Sequence, residues 1–259
     1  MPLLLEEDLK RPLPKMYRVR QSFNKEHLED IEGTVAREFA KAEIRAQVKP
    51  GMRVALAVGS RGIRNLSRIV KCVVDQLLAL EAEPFIVAAM GSHGGGTLEG
   101  QLEILHTYGI TQEAMGIPVI ANNDVELLGS TSRGIQVYFD KLCLEQADLV
   151  IPINRVKLHT DFVDTIQSGM CKMLVIGLGN HKGCTAIHKA DFSYFGDTLR
   201  EATRLILSRA KVGFGVAIME NAYDQTLLVE AVPAEKMLER EAELVMLSRK
   251  NMPILMIPD

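Results

Sequence analysis

The chain has 259 residues, 47% of them hydrophobic and 24% charged, ordinary values for a folded globular protein with a sizeable core. Its formal net charge of −3 argues against a dedicated nucleic-acid surface or an anionic-membrane surface, so an anionic substrate must be held by a few local cations. The start MPLLLEEDLKRP lacks a basic segment followed by an apolar one, and no apolar run approaches about 18 residues, so neither a signal peptide nor a membrane span is expected. Cys72, Cys143, Cys171 and Cys184 show no C-x-x-C spacing and read as reduced thiols of a cytoplasmic protein.

Residues 1–23 contain Pro2, Pro12 and Pro14 and predict an irregular arm ending in a short strand, Met16 to Val19. From Lys25 to Val48, the apolar positions Leu28, Ile31, Val35, Phe39 and Ala42 fall at helical spacing, and Lys49-Pro50-Gly51 ends that helix. Arg53 to Val58 is a short apolar run, the pattern of a strand covered on both faces. Leu66, Ile69, Val70, Val73, Val74, Leu77 and Leu78 form a one-sided stripe, the clearest helix in the chain. Phe85 to Met90 is a second buried strand, Thr97 to Tyr108 a second crossover helix, and Pro118 to Ala121 a third strand.

Residues 124–140 alternate weakly around Gly129 and Gly134 and predict a hairpin. Leu149 to Ile153, Phe214 to Met219 and Thr226 to Val232 read as strands, and Asp197 to Arg209 and Glu235 to Lys250 as helices. Pro253 to Ile257 would begin a further strand. Apolar strands alternating with amphipathic helices predict an α/β fold, a Rossmann-like, mostly parallel sheet with helices on both faces. The expected organisation is one domain over 1–259, with a core from 24 to 259. The apolar run at 253–257, with no closing helix, leads us to expect a further C-terminal domain.

Three strand-to-helix turns carry candidate chemistry, because ligands in open α/β sheets sit beyond the carboxyl ends of strands. In Gly59-Ser60-Arg61-Gly62, the glycines and a helix N-terminus would let an anion approach the backbone. Arg61 adds a fork matching a carboxylate; the plainer reading is a turn with an exposed arginine. Gly91-Ser92-His93-Gly94-Gly95-Gly96 lacks the Lys-Ser/Thr of a P-loop and fits G-x-G-x-x-G poorly. It leaves His93 on a glycine-rich loop, where a histidine can also be merely solvated.

The third turn opens the stretch Asn154 to His188, which holds three of the six histidines and two of the four cysteines. His159 follows the strand directly. Lys172 lies between a glycine turn and the apolar MLVIGLG, and a lysine in a desolvated pocket loses proton affinity and becomes a nucleophile or attachment point. His181 and His188 do not suit one shared metal. If the segment is helical they are roughly 10.5 Å apart along the axis, whereas two ligands on one zinc have nitrogens about 4 Å apart. One of them can bind a metal.

AAMGSHGGGT, PINRVKLHTDF and SGMCKMLVIGLGNHKG together resemble the catalytic N-terminal domain of the nickel-dependent lactate racemase family. The resemblance implies a Rossmann-like domain followed by a second α/β domain. It also implies a nickel-pincer nucleotide, tethered to a lysine and holding nickel through sulfur, carbon, sulfur and a histidine. By that resemblance Lys172 matches the tether and His188 the nickel ligand, with His181 the runner-up. His93 and His159 match the catalytic pair, Arg61 the substrate-binding arginine, and Gly59 and Ser60 line the cofactor. The reaction implied is racemisation or epimerisation of a small-molecule 2-hydroxy acid by reversible hydride transfer, with cofactor-biosynthesis enzymes as partners. The residues themselves leave two other classes open. One is a non-catalytic anion- or nucleotide-binding module; the other is a Schiff-base enzyme that uses Lys172 without nickel.

Overall fold

A computed structural model describes residues 6–13 and 15–257; Pro2 and Pro14 of the arm lie outside the described residues. In chain order the helices and strands are α1 (Glu6–Leu9), α2 (Ile31–Ala40), α3 (Ala42–Arg45), β1 (Arg53–Val58), α4 (Leu66–Ala79), β2 (Glu83–Ala88), α5 (Leu98–Thr107), α6 (Gln112–Met115), β3 (Val119–Ile120), β4 (Val125–Ser130) and β5 (Gln136–Asp140). They continue as α7 (Lys141–Gln146), β6 (Leu149–Arg155), α8 (Met170–Lys172), α9 (Asn180–Ile187), α10 (Phe195–Arg209), β7 (Phe214–Glu220), β8 (Thr226–Pro233) and α11 (Met237–Asn251). A π-helical turn, Met173–Gly177, follows α8.

Six strands form one sheet in the order β3-β2-β1-β6-β7-β8, and β4 with β5 makes a separate antiparallel hairpin. All pairings in the main sheet are parallel except β7 with β8. Apolar runs form its centre because both faces are covered, and alternate residues feed two cores. Val54, Leu56 and Val58 face a core shared with α2 and α4. Ala55 and Ala57 face the other, which contains Met170, Met173 and Leu174 and the inner sides of α10 and α11. Leu56 and Ile86 are fully buried, and truncating such a side chain to alanine costs roughly 2–5 kcal/mol.

Three expectations need correction. Met16 to Val19 is not a strand: Met16 and Val19 are 93% and 55% exposed, with no sheet against them. Pro253 to Ile257 is also irregular, because its backbone is met by a side chain rather than a strand. Gln21 donates to the Ile254 carbonyl at 2.9 Å and accepts from the Met256 N–H at 2.7 Å. The helix expected over 25–48 is shorter and broken. Leu28 lies in an irregular segment, its N–H donated to the Thr226 carbonyl at 2.7 Å, α2 begins behind the Asp30 cap, and Lys41 at ψ 132° separates α2 from α3.

Among the described residues, no helix is long and apolar enough to cross a membrane.

Candidate functional site

The strand order reverses at β1, since the chain runs from β1 to β2 on one side and later returns as β6 on the other. The crevice beyond the carboxyl ends at such a switch point is where ligands bind in open α/β sheets. Here the loops after β1, β2 and β6 deliver Arg61, His93 and His159 to one cleft of about 340 Å³. Lys172, Cys184 and His188 line the same cleft from α8 and the helix after it.

Gly59 and Ser60 also line the cleft, but α4 begins only at Leu66, so no helix N-terminus stands directly behind them. The Ser60 hydroxyl is instead hydrogen-bonded to His93 Nδ1, and the Ser60 carbonyl accepts from the Tyr108 hydroxyl at 2.8 Å. On the neighbouring loop, Gly91 has φ +60°, and a Cβ there would sit 3.1–3.3 Å from the Ile176 carbonyl and the Cys184 side chain. That glycine lets the His93 loop close on α9, with the Gly91 N–H bonded to the Gly177 carbonyl at 3.1 Å.

His159 is held by its backbone and its ring. Its N–H donates to Gln167 Oε1 at 2.8 Å, and its Nδ1 accepts from the Asp161 N–H at 3.2 Å. The neutral ring therefore carries its proton on Nε2. The ring packs on Phe162, centroids 4.5 Å apart. Phe162 packs on Phe195, and Phe195 on the ring of His188. Thus His159 and His188 flank one pair of phenylalanines.

Charges in the cleft are mostly positive. Burial, and then the cations Arg61 and Lys172, hold His93 below its ordinary pKa. Burial and Lys172 do the same to His159, against a smaller opposing pull from Asp161. The Lys172 amine is pushed down to about 8, first by burial and then by Arg61 and Lys157. Burial would raise the Cys184 thiol, but bonds to His188 and Ser92 outweigh it and bring it below the ordinary value. The Cys184 interaction in turn raises His188.

His181 is elsewhere. It is exposed at the start of α9, with its ring beside Gly96, and it does not line the cleft. Position along one helix separates the two histidines: α9 spans 180–187, with His188 at its C-terminal cap. Among the described residues, no group of three or more His, Cys, Asp or Glu side chains could hold a metal ion alone. A bare ion therefore lacks a ligand set here. A group that brings its own donors and needs one more, beside a low-pKa amine for attachment, fits His188 and Lys172.

Sequence reasoning missed Cys184, although it stands one helical turn before His188 and their spacing could have flagged it. Asn154, whose amide donates to the Gly169 carbonyl at 2.7 Å, and the phenylalanine pair gave no comparable signal.

The profile of the lactate racemase N-terminal domain matches residues 10–196 of the chain. Among solved structures, the lactate racemase apoprotein from Thermoanaerobacterium thermosaccharolyticum is similar in fold, with a TM-score of 0.62 at 15% identity. The alignment covers 85% of this chain and 56% of that one, so the chain spans little more than half of the structure it resembles. No curated protein matches it.

Proposed function

Because this chain belongs to the lactate racemase N-terminal domain family, we propose that it racemises or epimerises a small 2-hydroxy acid with a nickel-pincer nucleotide attached to Lys172. The observation that carries this reading is the convergence of Lys172, His188, His93, His159 and Arg61 on one cleft at the switch point of the sheet. The activity is proposed for the chain together with a second α/β domain, in keeping with its partial coverage of the racemase structure. The four free thiols fit a reducing compartment such as the cytoplasm.

When bound, the nucleotide would supply a hydride acceptor for the substrate's carbinol carbon. The chain's residues do the rest. Arg61 holds the substrate carboxylate while the two faces of its carbon exchange roles. His93 and His159 both turn Nδ1 toward protein partners, leaving Nε2 of each as the working atom. Burial and nearby cations favour their neutral forms. His93 can take the hydroxyl proton at Nε2 when its Nδ1 proton is given to the Ser60 hydroxyl. His159 holds its proton on Nε2 and is set to donate; it becomes the base only in its other tautomer, with Nδ1–H facing the Asp161 carboxylate 3.8 Å away. Whichever ring is protonated returns a proton to the oxygen on the opposite side. His188 is the protein's ligand to nickel, and Lys172 is the attachment point.

The test is intact mass and nickel content of protein expressed beside the cofactor-making enzymes. A covalent adduct on the Lys172 peptide with bound nickel supports the reading, and an adduct elsewhere ends it. The low proton affinity of Lys172 also suits a Schiff-base enzyme. Borohydride trapping of a keto acid on Lys172, in protein that never binds nickel, would favour that alternative.

A further inference from the structure

Glu241 is a fully buried carboxylate that no step above uses. It leaves α11, which packs against α8, and its Oε2 accepts the backbone N–H of Cys171 at 2.9 Å. Its Oε1 has no partner among the described residues, and a buried polar atom left unpaired is costly to keep. The same carboxylate explains a glycine. A Cβ on Gly169 would stand 2.5–2.7 Å from its carbon and oxygens, while φ 173° at Gly169 is extended backbone that any residue adopts. The glycine just before the Lys172 helix is therefore required by Glu241, not by backbone conformation. From another side, Asn154, a cleft residue, holds the Gly169 carbonyl at 2.7 Å. The turn leading into Lys172 is pinned at the Gly169 carbonyl by a cleft residue and at the Cys171 N–H by a buried acid.

We propose that Glu241 is a positioning residue for Lys172, clamping the Gly169–Cys171 turn together with Asn154 and so fixing where the lysine amine enters the cleft. Its meaning for function rests on reading Lys172 as the attachment point, but its test uses the free amine and no cofactor. If Glu241 served stability alone, its loss would lower the melting temperature and leave the amine's surroundings unchanged. If it positions Lys172, its loss lets the turn move and water reach the amine, whose charged form is now disfavoured by burial and by Arg61 and Lys157, with Cys184 and Asp161 opposing.

The experiment is acylation of the cofactor-free chain with acetic anhydride across a pH series, reading Lys172 by peptide mass spectrometry. Wild type should show a reactivity midpoint near 8. Glu241→Gln, whose amide oxygen still accepts the Cys171 N–H, should keep that midpoint. Glu241→Ala should move it toward the value of an exposed lysine, about 10.4. Glu241→Asp, with its carboxylate drawn back by one methylene, should move it in the same direction and serves where the alanine variant does not fold. A wild-type midpoint in a folded Ala or Asp variant overturns the proposal, as does a Gln variant shifted as far as Ala. A normal titration of Lys172 with no adduct in loaded protein would sink the attachment reading and leave this one standing.

Discussion

Nδ1 of His188 lies 2.7 Å from the backbone carbonyl oxygen of Cys184, one helical turn earlier. A carbonyl only accepts, so Nδ1 carries the proton and the neutral ring keeps its lone pair on Nε2. Metal-bound histidines are commonly fixed in this way by a partner on the other ring nitrogen. His188→Ala should therefore abolish nickel retention in loaded protein, a larger loss than the roughly 10–100-fold typical of outer-shell substitutions. His181→Ala should retain nickel. Metal content after dialysis decides, and equal loss in both variants would remove His188 from its role.

Lys172→Ala should abolish covalent attachment and leave the far-ultraviolet circular dichroism spectrum unchanged. Lys172 is only partly buried, and among the described residues its amine makes no hydrogen bond or ion pair that the fold would lose. Truncations of this kind seldom unfold a domain of this size. An adduct that survives in the Lys172→Ala protein would disprove attachment there.

The pH dependence of stability should carry a signature of Glu241. Burial raises its pKa from 4.5 to about 7, against opposing pulls from the amides of Cys171 and Met170 and from the Cys171 thiol. Between those values the folded chain holds a proton that the unfolded chain has lost, so this group's contribution to stability falls as pH rises through the window. Below it both states are protonated, and above it both are ionised. At 1.36 kcal/mol per pKa unit, the full effect is on the order of 3 kcal/mol. Urea midpoints at pH 5 and pH 7.5 should show wild type losing ground to Glu241→Gln at the higher pH. A constant difference between the two proteins would refute the shift.

Removing either His93 or His159 should slow conversion of both enantiomers, because each direction then loses one proton transfer. Acid–base groups typically contribute about 10²–10⁴-fold, so either alanine variant should show a defect of that size. Deuterium placed at C2 of the substrate should stay out of water. The assay follows both enantiomers of a C2-deuterated 2-hydroxy acid with the chain joined to the second α/β domain proposed above. Rapid washout of the label would mean carbanion chemistry and end the hydride reading.

The centre of the sheet and its three loops were legible because burial on both faces leaves continuous apolar runs, as at Val54–Val58 and Leu149–Ile153. The α4 stripe was legible because one apolar face at helical spacing has few other meanings. What lay hidden depended on partners far along the chain. Leu28 continues a helical stripe yet lies outside the helix, its N–H taken by the Thr226 carbonyl. Ile254 to Ile257 looks like a strand, but nothing in the run says that a glutamine side chain will meet its backbone. The site divides similarly. Arg61, His93, His159 and Lys172 are reactive residue types directly after apolar runs or beside glycine turns, whereas His188 was singled out over His181 only by the family resemblance. Glu241 lies in an ordinary charged helix, and only the packing of α11 on α8 brings it to the Gly169–Cys171 turn before Lys172. The π-turn over Met173–Gly177 could not be read from an apolar run of either periodicity.

The placement of the cleft at the β1 switch point has a consequence for motion. A molecule gripped at once by Arg61, His93 and His159 fastens the loops of three strands that the unfolded chain keeps far apart. Its binding energy then resists separation of the middle of the sheet, growing as RT ln(1 + [L]/Kd). Amide exchange with solvent would slow together in β1, β2 and β6, as one cooperative unit. The β4–β5 hairpin belongs to a separate sheet and would keep breathing at its own rate.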